Sequence, residues 1–228
     1  MKKVFPVILL LFFFAAAHTQ AQESAAYFKK RFTVGVDLFT DVWINTPAII
    51  SSGTINQSAN FYTMYNFPLG QKKTGKTILA IGLGIGNHSF YSKNGYIEDI
   101  KGDTINFVNE GVTGVSLTKS KLTVTTLDIP LELKVMLKKG WHFGVGLKIN
   151  YLIDSKELYQ GTLTSGGPVM KIKYKKVNQL NNTGYTPTLR FGHGSFNIYA
   201  AYQLVPLFNT GHGPAMHPIS LGITITPF

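Results

Sequence analysis

The chain has 228 residues, no cysteine and a formal net charge of +11, with 44% hydrophobic residues and a mean hydropathy of +0.08. The lack of cysteine excludes disulfides, zinc–thiolate sites, iron–sulfur clusters and thiol catalysis. A hydrophobic content of this order fits a soluble protein, or a membrane barrel whose apolar residues recur at every second position.

The N-terminus has the pattern of a signal peptide. Lys2 and Lys3 precede an apolar run from Val4 to Ala17, and small residues follow up to Ala21. The run is shorter than the roughly 20 residues that a spanning helix needs. We therefore expect residues 1–21 to be cleaved, residues 22–30 to form a short periplasmic segment and residues 31–228 to form the exported domain.

Alternating residue types mark the first three predicted strands, because successive side chains of a strand point to opposite faces. Arg31–Val42 has its apolar residues at even positions, and Trp43 follows it. Asn60–Leu69 is rich in aromatic residues, and the sequence does not fix its phase. Thr77–Tyr91 alternates large aliphatic residues with alanine or glycine.

The fourth and fifth predicted strands are the most regular. Leu122–Leu137 has apolar residues at odd positions and polar ones at even positions, except that Leu122 and Val124 are even. This change of phase predicts a β-bulge before Thr126. Trp141–Tyr151 reads WHFGVGLKINY, with large apolar residues at odd positions and aromatic residues at both ends, as in a bilayer-spanning strand.

Three further strands, Tyr185–Phe191, Phe196–Phe208 and His217–Phe228, bring the count to eight. Long and short connections alternate between them, as in bacterial outer-membrane barrels with short periplasmic turns and long external loops. We predict an all-β, eight-stranded, antiparallel, up-and-down transmembrane barrel embedded in outer-membrane lipids. Its aromatic girdle would contain Trp43, Trp141 and Tyr151.

Charged residues fall into two predicted groups. One group lies on inward positions, where a narrow lumen favours a structural salt-bridge core over the alternative of a conducting pore: Asp37, Asp128, Glu132, Lys134, Lys148 and Arg190. The other group lies on the predicted periplasmic rim, where we expect it to attract anionic head groups: Lys29, Lys30, Arg31, Lys72, Lys73, Lys76, Lys138 and Lys139.

Other functional patterns are weaker. The run from Gly70 to Thr77 has the G-x-x-x-x-G-K-T spacing of a phosphate-binding loop, but the residues after it favour a strand over the helix that such a site requires. We therefore expect no nucleotide, and in an exported barrel the basic charge does not indicate nucleic acid. We predict no metal, cofactor or catalytic residue. A lipid-modifying enzyme remains an alternative because of four residues near the outer rim: His88, Ser89, His212 and His217.

The run Leu127–Lys134, reading LDIPLELK, resembles the hydrophobic, acidic, I-P-L strand of the PorT-like outer-membrane β-barrel proteins of Bacteroidota. The runs Tyr65–Gly70 and Tyr202-Gln203 fit this resemblance, which covers the mature chain. It implies a barrel but no shared catalytic residues. Phe228 ends the chain as in outer-membrane assembly signals, although polar or small residues occupy the positions before it that are usually apolar.

These patterns predict a structural or interaction protein. Its external loops, residues 92–121 and 154–184, are the candidate contacts for an envelope protein partner. An accessory barrel of a secretion or transport system is the first alternative, and a lipid-modifying enzyme is the second.

Overall fold

The computed structural model describes residues 31–53, 55–72, 75–110, 116–162 and 167–226. Their strands are β1 (Phe32–Ile44), β2 (Gln57–Lys72), β3 (Gly75–Ser92), β4 (Gly95–Ile97), β5 (Phe107–Asn109), β6 (Leu117–Met136), β7 (Trp141–Thr162), β8 (Val169–Lys175), β9 (Thr183–His193), β10 (Phe196–Tyr202) and β11 (His217–Ile225). A 3₁₀ turn spans Lys138–Gly140. Among these residues, no helix is both long enough and apolar enough to cross a membrane.

Some sequence predictions fall outside the described residues. These are the signal peptide (residues 1–21), the segment 22–30 with Lys29 and Lys30, and the residues Lys73 and Phe228.

Eight of the strands close into one antiparallel barrel. Neighbours pair in the order β1-β2-β3-β6-β7-β9-β10-β11, and β11 pairs with β1. The predicted eight-stranded antiparallel barrel is therefore confirmed. The turns between β2 and β3, β6 and β7, and β9 and β10 are short, and we call this side of the barrel the short-turn end. The opposite side is the long-connection end.

Side chains alternate between a polar interior and an apolar exterior. In β9 every even position is buried and every odd position is exposed. The same alternation settles the phase of β2, in which Tyr62, Met64 and Asn66 are buried. Large apolar residues are exposed on the outside of the barrel strands, including Leu83, Ile85, Ile129, Leu131, Val145, Leu147, Leu189, Ile198, Leu221 and Ile223.

A β-bulge lies at the predicted place before Thr126, but the predicted change of phase within β6 is wrong. The even positions of β6 are buried from Ser120 to Glu132, so buried Leu122 and Val124 belong to the same face as Thr126. The extra residue lies in the neighbouring strand β7, where Thr125 pairs with Asp154 but Thr126 pairs with Leu152, leaving Ile153 unmatched. The inward face of β6 changes from polar to apolar residues towards the long-connection end, because Leu122 and Val124 pack there against the folded connections.

The long connections fold into a cap. We define the cap as the β4–β5 hairpin together with the segments 45–53, 98–106, 176–182 and 203–216. Predicted loops 92–121 and 154–184 contain regular strands, since β7 continues to Thr162 and pairs with β8. The predicted strand Phe196–Phe208 ends at Tyr202, because the following residues turn inward and bury Leu207 and Phe208.

An apolar core lies between the cap and the barrel. Its buried members are Trp43, Ile50, Phe90, Ile97, Ile100, Ile105, Phe107, Leu122, Val124, Val177, Leu180, Leu207, Phe208 and Met216. The predicted place of Trp43 in an outer aromatic girdle is therefore wrong. Trp43 is at an odd position of β1, the inward phase, and its Nε1 donates to the Ser89 carbonyl at 3.0 Å. Trp141 and Tyr151 are exposed on the outside.

Candidate functional site: the barrel lumen

The centre of the lumen is a charged cluster around Arg190 of β9. One terminal nitrogen donates to Asp37 Oδ2 of β1 at 2.8 Å, and the other donates to Glu132 Oε2 of β6. Its Nε donates to Thr224 Oγ1 of β11 at 3.2 Å. One guanidinium therefore connects strands on different sides of the barrel, because its separate N–H donors reach two carboxylates and a hydroxyl at once.

Two tyrosines enclose the same guanidinium. Its carbon lies 4.8 Å from the ring centre of Tyr62 in β2 and 4.9 Å from that of Tyr199 in β10. Both rings are almost fully buried, so these cation–π contacts form away from solvent, where they are strongest. Arg190 thus contacts residues of five other barrel strands, so a shift of any one of these strands would break a contact with its guanidinium.

A second ion pair lies on the β6–β7 side of the lumen. Lys148 Nζ is 3.0 Å from Asp128 Oδ2, and both side chains are buried. The other carboxylate oxygen accepts from Thr126 and Asn150, each at 2.7 Å. Asn150 Oδ1 in turn accepts from Thr186 of β9 at 2.6 Å. Among the inward charged residues, Lys148 therefore pairs with Asp128, whereas Glu132 pairs with Arg190.

Lys134 is the least buried member of the predicted lumen group. Its Nζ lies 3.6 Å from Glu132 Oε1 and donates to Thr33 Oγ1 at 3.2 Å. Both groups line a cavity of about 420 Å³ at the short-turn end. Polar atoms of His142 and Asn197 also line it and lack a hydrogen-bond partner among the described residues. Several polar side chains therefore line the cavity, and it is large enough to hold water.

A further polar cluster, around Asp41, was missed at the sequence level. Asp41 is fully buried and accepts from Ser58 at 2.7 Å, from Ser220 at 2.6 Å and from His88 Nδ1 at 3.0 Å. The available signal was the period of two, because Asp41 is four residues after Asp37 and shares its inward phase. The predicted inward set stopped too early along β1.

The four candidate residues for lipid chemistry do not contact one another through their side chains; each has a different hydrogen-bond partner. His88 is buried against Asp41, and the two serine hydroxyls there donate to the carboxylate instead of the imidazole. His212 contacts the Asp103 carbonyl, and His217 contacts the Gln203 carbonyl. Ser89 is buried, and its amide donates to Ser58 Oγ. These contacts do not build the nucleophile–base pair of a hydrolase.

Comparisons with known proteins add no family to this geometry. The chain matches no family model, and no curated protein matches it.

The basic residues predicted at the periplasmic rim lie at the short-turn end where the structure describes them. Arg31, Lys76, Lys138 and Lys139 lie there, and β2 ends at Lys72. The segment after Gly75 is the strand β3, as the sequence favoured for the phosphate-loop match. Within the described residues, no cluster of three or more His, Asp or Glu side chains could hold a metal ion.

One carboxylate that contacts the cap has a shifted pKa. Glu157, on the extension of β7, is buried and accepts from the Ile97 amide of β4 at 3.0 Å. Burial raises the pKa of Glu157 to about 7, although that backbone hydrogen bond opposes the shift. Glu157 therefore couples the attachment of the β4–β5 hairpin to protonation near neutral pH.

Proposed function

We propose that this chain is an integral outer-membrane protein with a closed, non-conducting barrel and that it acts through its folded external cap. The observation that carries the proposal is the apolar exterior. On β7 the exposed large apolar residues run at every odd position from Trp141 to Ile153. At about 3.3 Å per residue and a tilt of about 40°, the run covers roughly 30 Å, the thickness of a bilayer's hydrocarbon core.

The lumen supports a structural role over a pore. The Arg190 cluster fills the middle of the barrel, and the apolar core around Trp43 and Phe208 covers the long-connection end. An eight-stranded barrel has an interior just wide enough for side chains. Ions would have to displace paired charges and then pass a dry apolar layer.

In this placement the short-turn end faces the periplasm, and the cap faces the exterior. The cap is the folded part of the chain that would extend beyond the bilayer on the external side, so we infer that it carries the specificity for an envelope partner. The resemblance to PorT-like proteins supports the same placement, and we propose membership of that group on this basis. An accessory role in secretion or transport is compatible with such a cap.

The experiment is membrane extraction combined with gel mobility. Envelopes containing the protein are washed with alkaline carbonate, and the retained protein is run on an SDS gel with and without boiling. The proposal expects retention in the membrane and a faster, compact form in the unboiled sample. Release by carbonate, or identical migration of the two samples, would overturn it.

A further inference from the structure

Six lysines lie on one outward sheet face just beyond the apolar band. The face belongs to the adjacent strands β6, β7 and β8, above the bulge at Ile153. Its lysines, which we call the lysine face, are Lys119, Lys121, Lys156, Lys171, Lys173 and Lys175.

The pairing register places these lysines on the same side of the sheet. Residues directly opposite each other in antiparallel strands share a face, and Lys171, Lys173 and Lys175 are opposite Gln160, Leu158 and Lys156. Lys119 and Lys121 are opposite Gln160 and Leu158 on the other side of β7. The alternate residues of β7, Ser155, Glu157 and Tyr159, are buried, so this shared face points outward.

The charges on this face are largely uncompensated. Among the described residues of this face, one is acidic: Asp154, which forms an ion pair with Lys156. Lys119 and Lys121 both lie over the ring of Tyr91, with Nζ at 5.3 and 4.9 Å from its centre. Lys156 is directly opposite Lys175, and like charges at such positions repel one another unless an anion lies between them.

The height of the lysine face indicates the source of the anion. Lys156 pairs with Thr123, which is four residues beyond Leu127, the last large apolar residue on the outward face of β6. Four residues correspond to roughly 10 Å along the axis of a tilted strand. That is the level of lipid head groups when the apolar band lies in the hydrocarbon core, with the lysines on the external side.

We infer that the lysine face is a binding site for the sugar phosphates of an anionic glycolipid in the outer leaflet. The inference rests on the proposed function, because the membrane placement sets the level of the lysines. Lysine ammonium groups bind phosphate oxygens as point charges, and several lysines on one rigid sheet can contact more than one phosphate. The ring of Tyr91 offers a flat apolar surface to a sugar between them.

The test uses the full-length protein in phosphatidylcholine nanodiscs, titrated with the deacylated, phosphorylated disaccharide of lipid A. The same disaccharide without phosphates is the ligand control. We expect the phosphorylated form to bind at least about tenfold more tightly. Equal binding of the two forms would overturn the inference, because recognition would then not depend on phosphate.

Two double variants locate the site. Lys171→Gln with Lys173→Gln on β8, and Lys119→Gln with Lys121→Gln on β6, should each weaken binding at least about tenfold. The matched control, Lys138→Gln with Lys139→Gln, removes the same charge from the short-turn end and should weaken binding less than either of the other two variants. Equal losses in all three variants would reduce the effect to net charge and contradict a specific face.

The outcomes also separate this inference from the proposed function. Each variant is first checked for compact migration without boiling, so that a misfolded strand β8 is not mistaken for a lost site. Protein that does not enter nanodiscs in its compact form contradicts the membrane placement. Protein that enters normally, with binding unaffected by the β6 and β8 variants, contradicts only the lysine face.

Discussion

At the residue scale, Arg190 is the side chain on which the lumen depends most. It contacts two buried carboxylates and two buried aromatic rings. A buried ion pair contributes little net stability compared with apolar packing, but removal of one partner leaves a charge without compensation. Replacing Arg190 alone should therefore lower the stability much more than replacing Arg190 together with its two carboxylates.

We expect Arg190→Met to lower the free energy of unfolding by about 3–5 kcal/mol, because Asp37 and Glu132 would be left buried without a cation. Adding Asp37→Asn and Glu132→Gln to that variant should recover most of the loss. Urea unfolding of the reconstituted protein, followed by its gel mobility, measures both. A triple variant that is less stable than Arg190→Met would show that the carboxylates are not the cause.

The sequence predicted most of the charged residues that face inward, although it missed Asp41, but not how they pair. Period-two alternation placed Lys148 and Arg190 on the inward face, and the structure has both side chains buried in the lumen. The partner of Arg190 depends on which strands lie across the barrel, and Asp37 is 153 residues away along the chain. Trp43 shows a related limit: its type suggested an interface, whereas its odd position in β1 already indicated the interior.

At the element scale, inward glycines allow neighbouring strands to approach closely. A Cβ on Gly222 of β11 would lie 2.1 Å from the Leu38 carbonyl oxygen and 2.5 Å from Phe39 Cα of β1. Both obstacles are backbone atoms of the strand that closes the barrel. A Cβ on Gly184 of β9 would have its nearest neighbour at 3.6 Å, an ordinary contact.

Gly222→Ala should therefore destabilise the barrel by about 1–3 kcal/mol, since β1 and β11 must shift to admit the methyl group. Gly184→Ala is the matched control and should change the stability by less than about 1 kcal/mol. The midpoint of thermal loss of the compact gel form compares the two variants. Similar midpoints would contradict the close approach of β1 and β11.

The cap provides a second element-scale prediction, which concerns pH. The pKa of Glu157 is about 7 in the folded protein against 4.5 for an ordinary glutamate, because burial disfavours its charged form. The folded state therefore holds the proton more strongly, so the contribution of Glu157 to stability is greatest below pH 4.5. We expect the cap to lose about 3 kcal/mol as the pH rises from about 4.5 to 7, with little change above that range.

Trp43 fluorescence can measure this loss, because Trp43 lies in the apolar core under the cap. Substituting the other tryptophan, Trp141→Phe, leaves Trp43 as the reporter. Glu157→Gln should remove the pH dependence of cap unfolding, whereas Glu98→Gln, at an exposed position of the same region, should keep it. Persistence of the full dependence in Glu157→Gln would assign it to another group.

The elements themselves show why the sequence succeeded for the barrel but less well for the cap. Every residue on one face of a barrel strand has the same kind of environment, so the alternation in Trp141–Tyr151 predicts a strand and its two faces without knowledge of the neighbouring strands. The cap strands β4 and β5 have three residues each and lack that repeat. The inward apolar residues Leu122 and Val124 suggested a bulge because the cap that covers them is assembled from distant segments.

At the scale of the whole molecule, a bilayer around the apolar band makes a specific prediction for two leucines of β7. Leu147 lies in the middle of the exposed apolar run, whereas Leu158 points outward among the lysine face. Leu147→Lys should cost about 2–4 kcal/mol in lipid vesicles, and Leu158→Lys should cost less than about 1 kcal/mol. Equal losses in the free energy of unfolding, measured with urea, would indicate that both positions have the same environment and would contradict a bilayer around the apolar band.

The most direct test of the membrane placement uses the absence of cysteine from the chain. Single substitutions Lys173→Cys, Leu147→Cys and Lys139→Cys each give one thiol, which is reacted with a membrane-impermeant maleimide on intact and on permeabilised cells. If the apolar band spans the outer membrane, Lys173→Cys is labelled in intact cells, Lys139→Cys is labelled only after permeabilisation, and Leu147→Cys is protected in both. Labelling of Lys139→Cys in intact cells, or rapid labelling of Leu147→Cys, would contradict this placement.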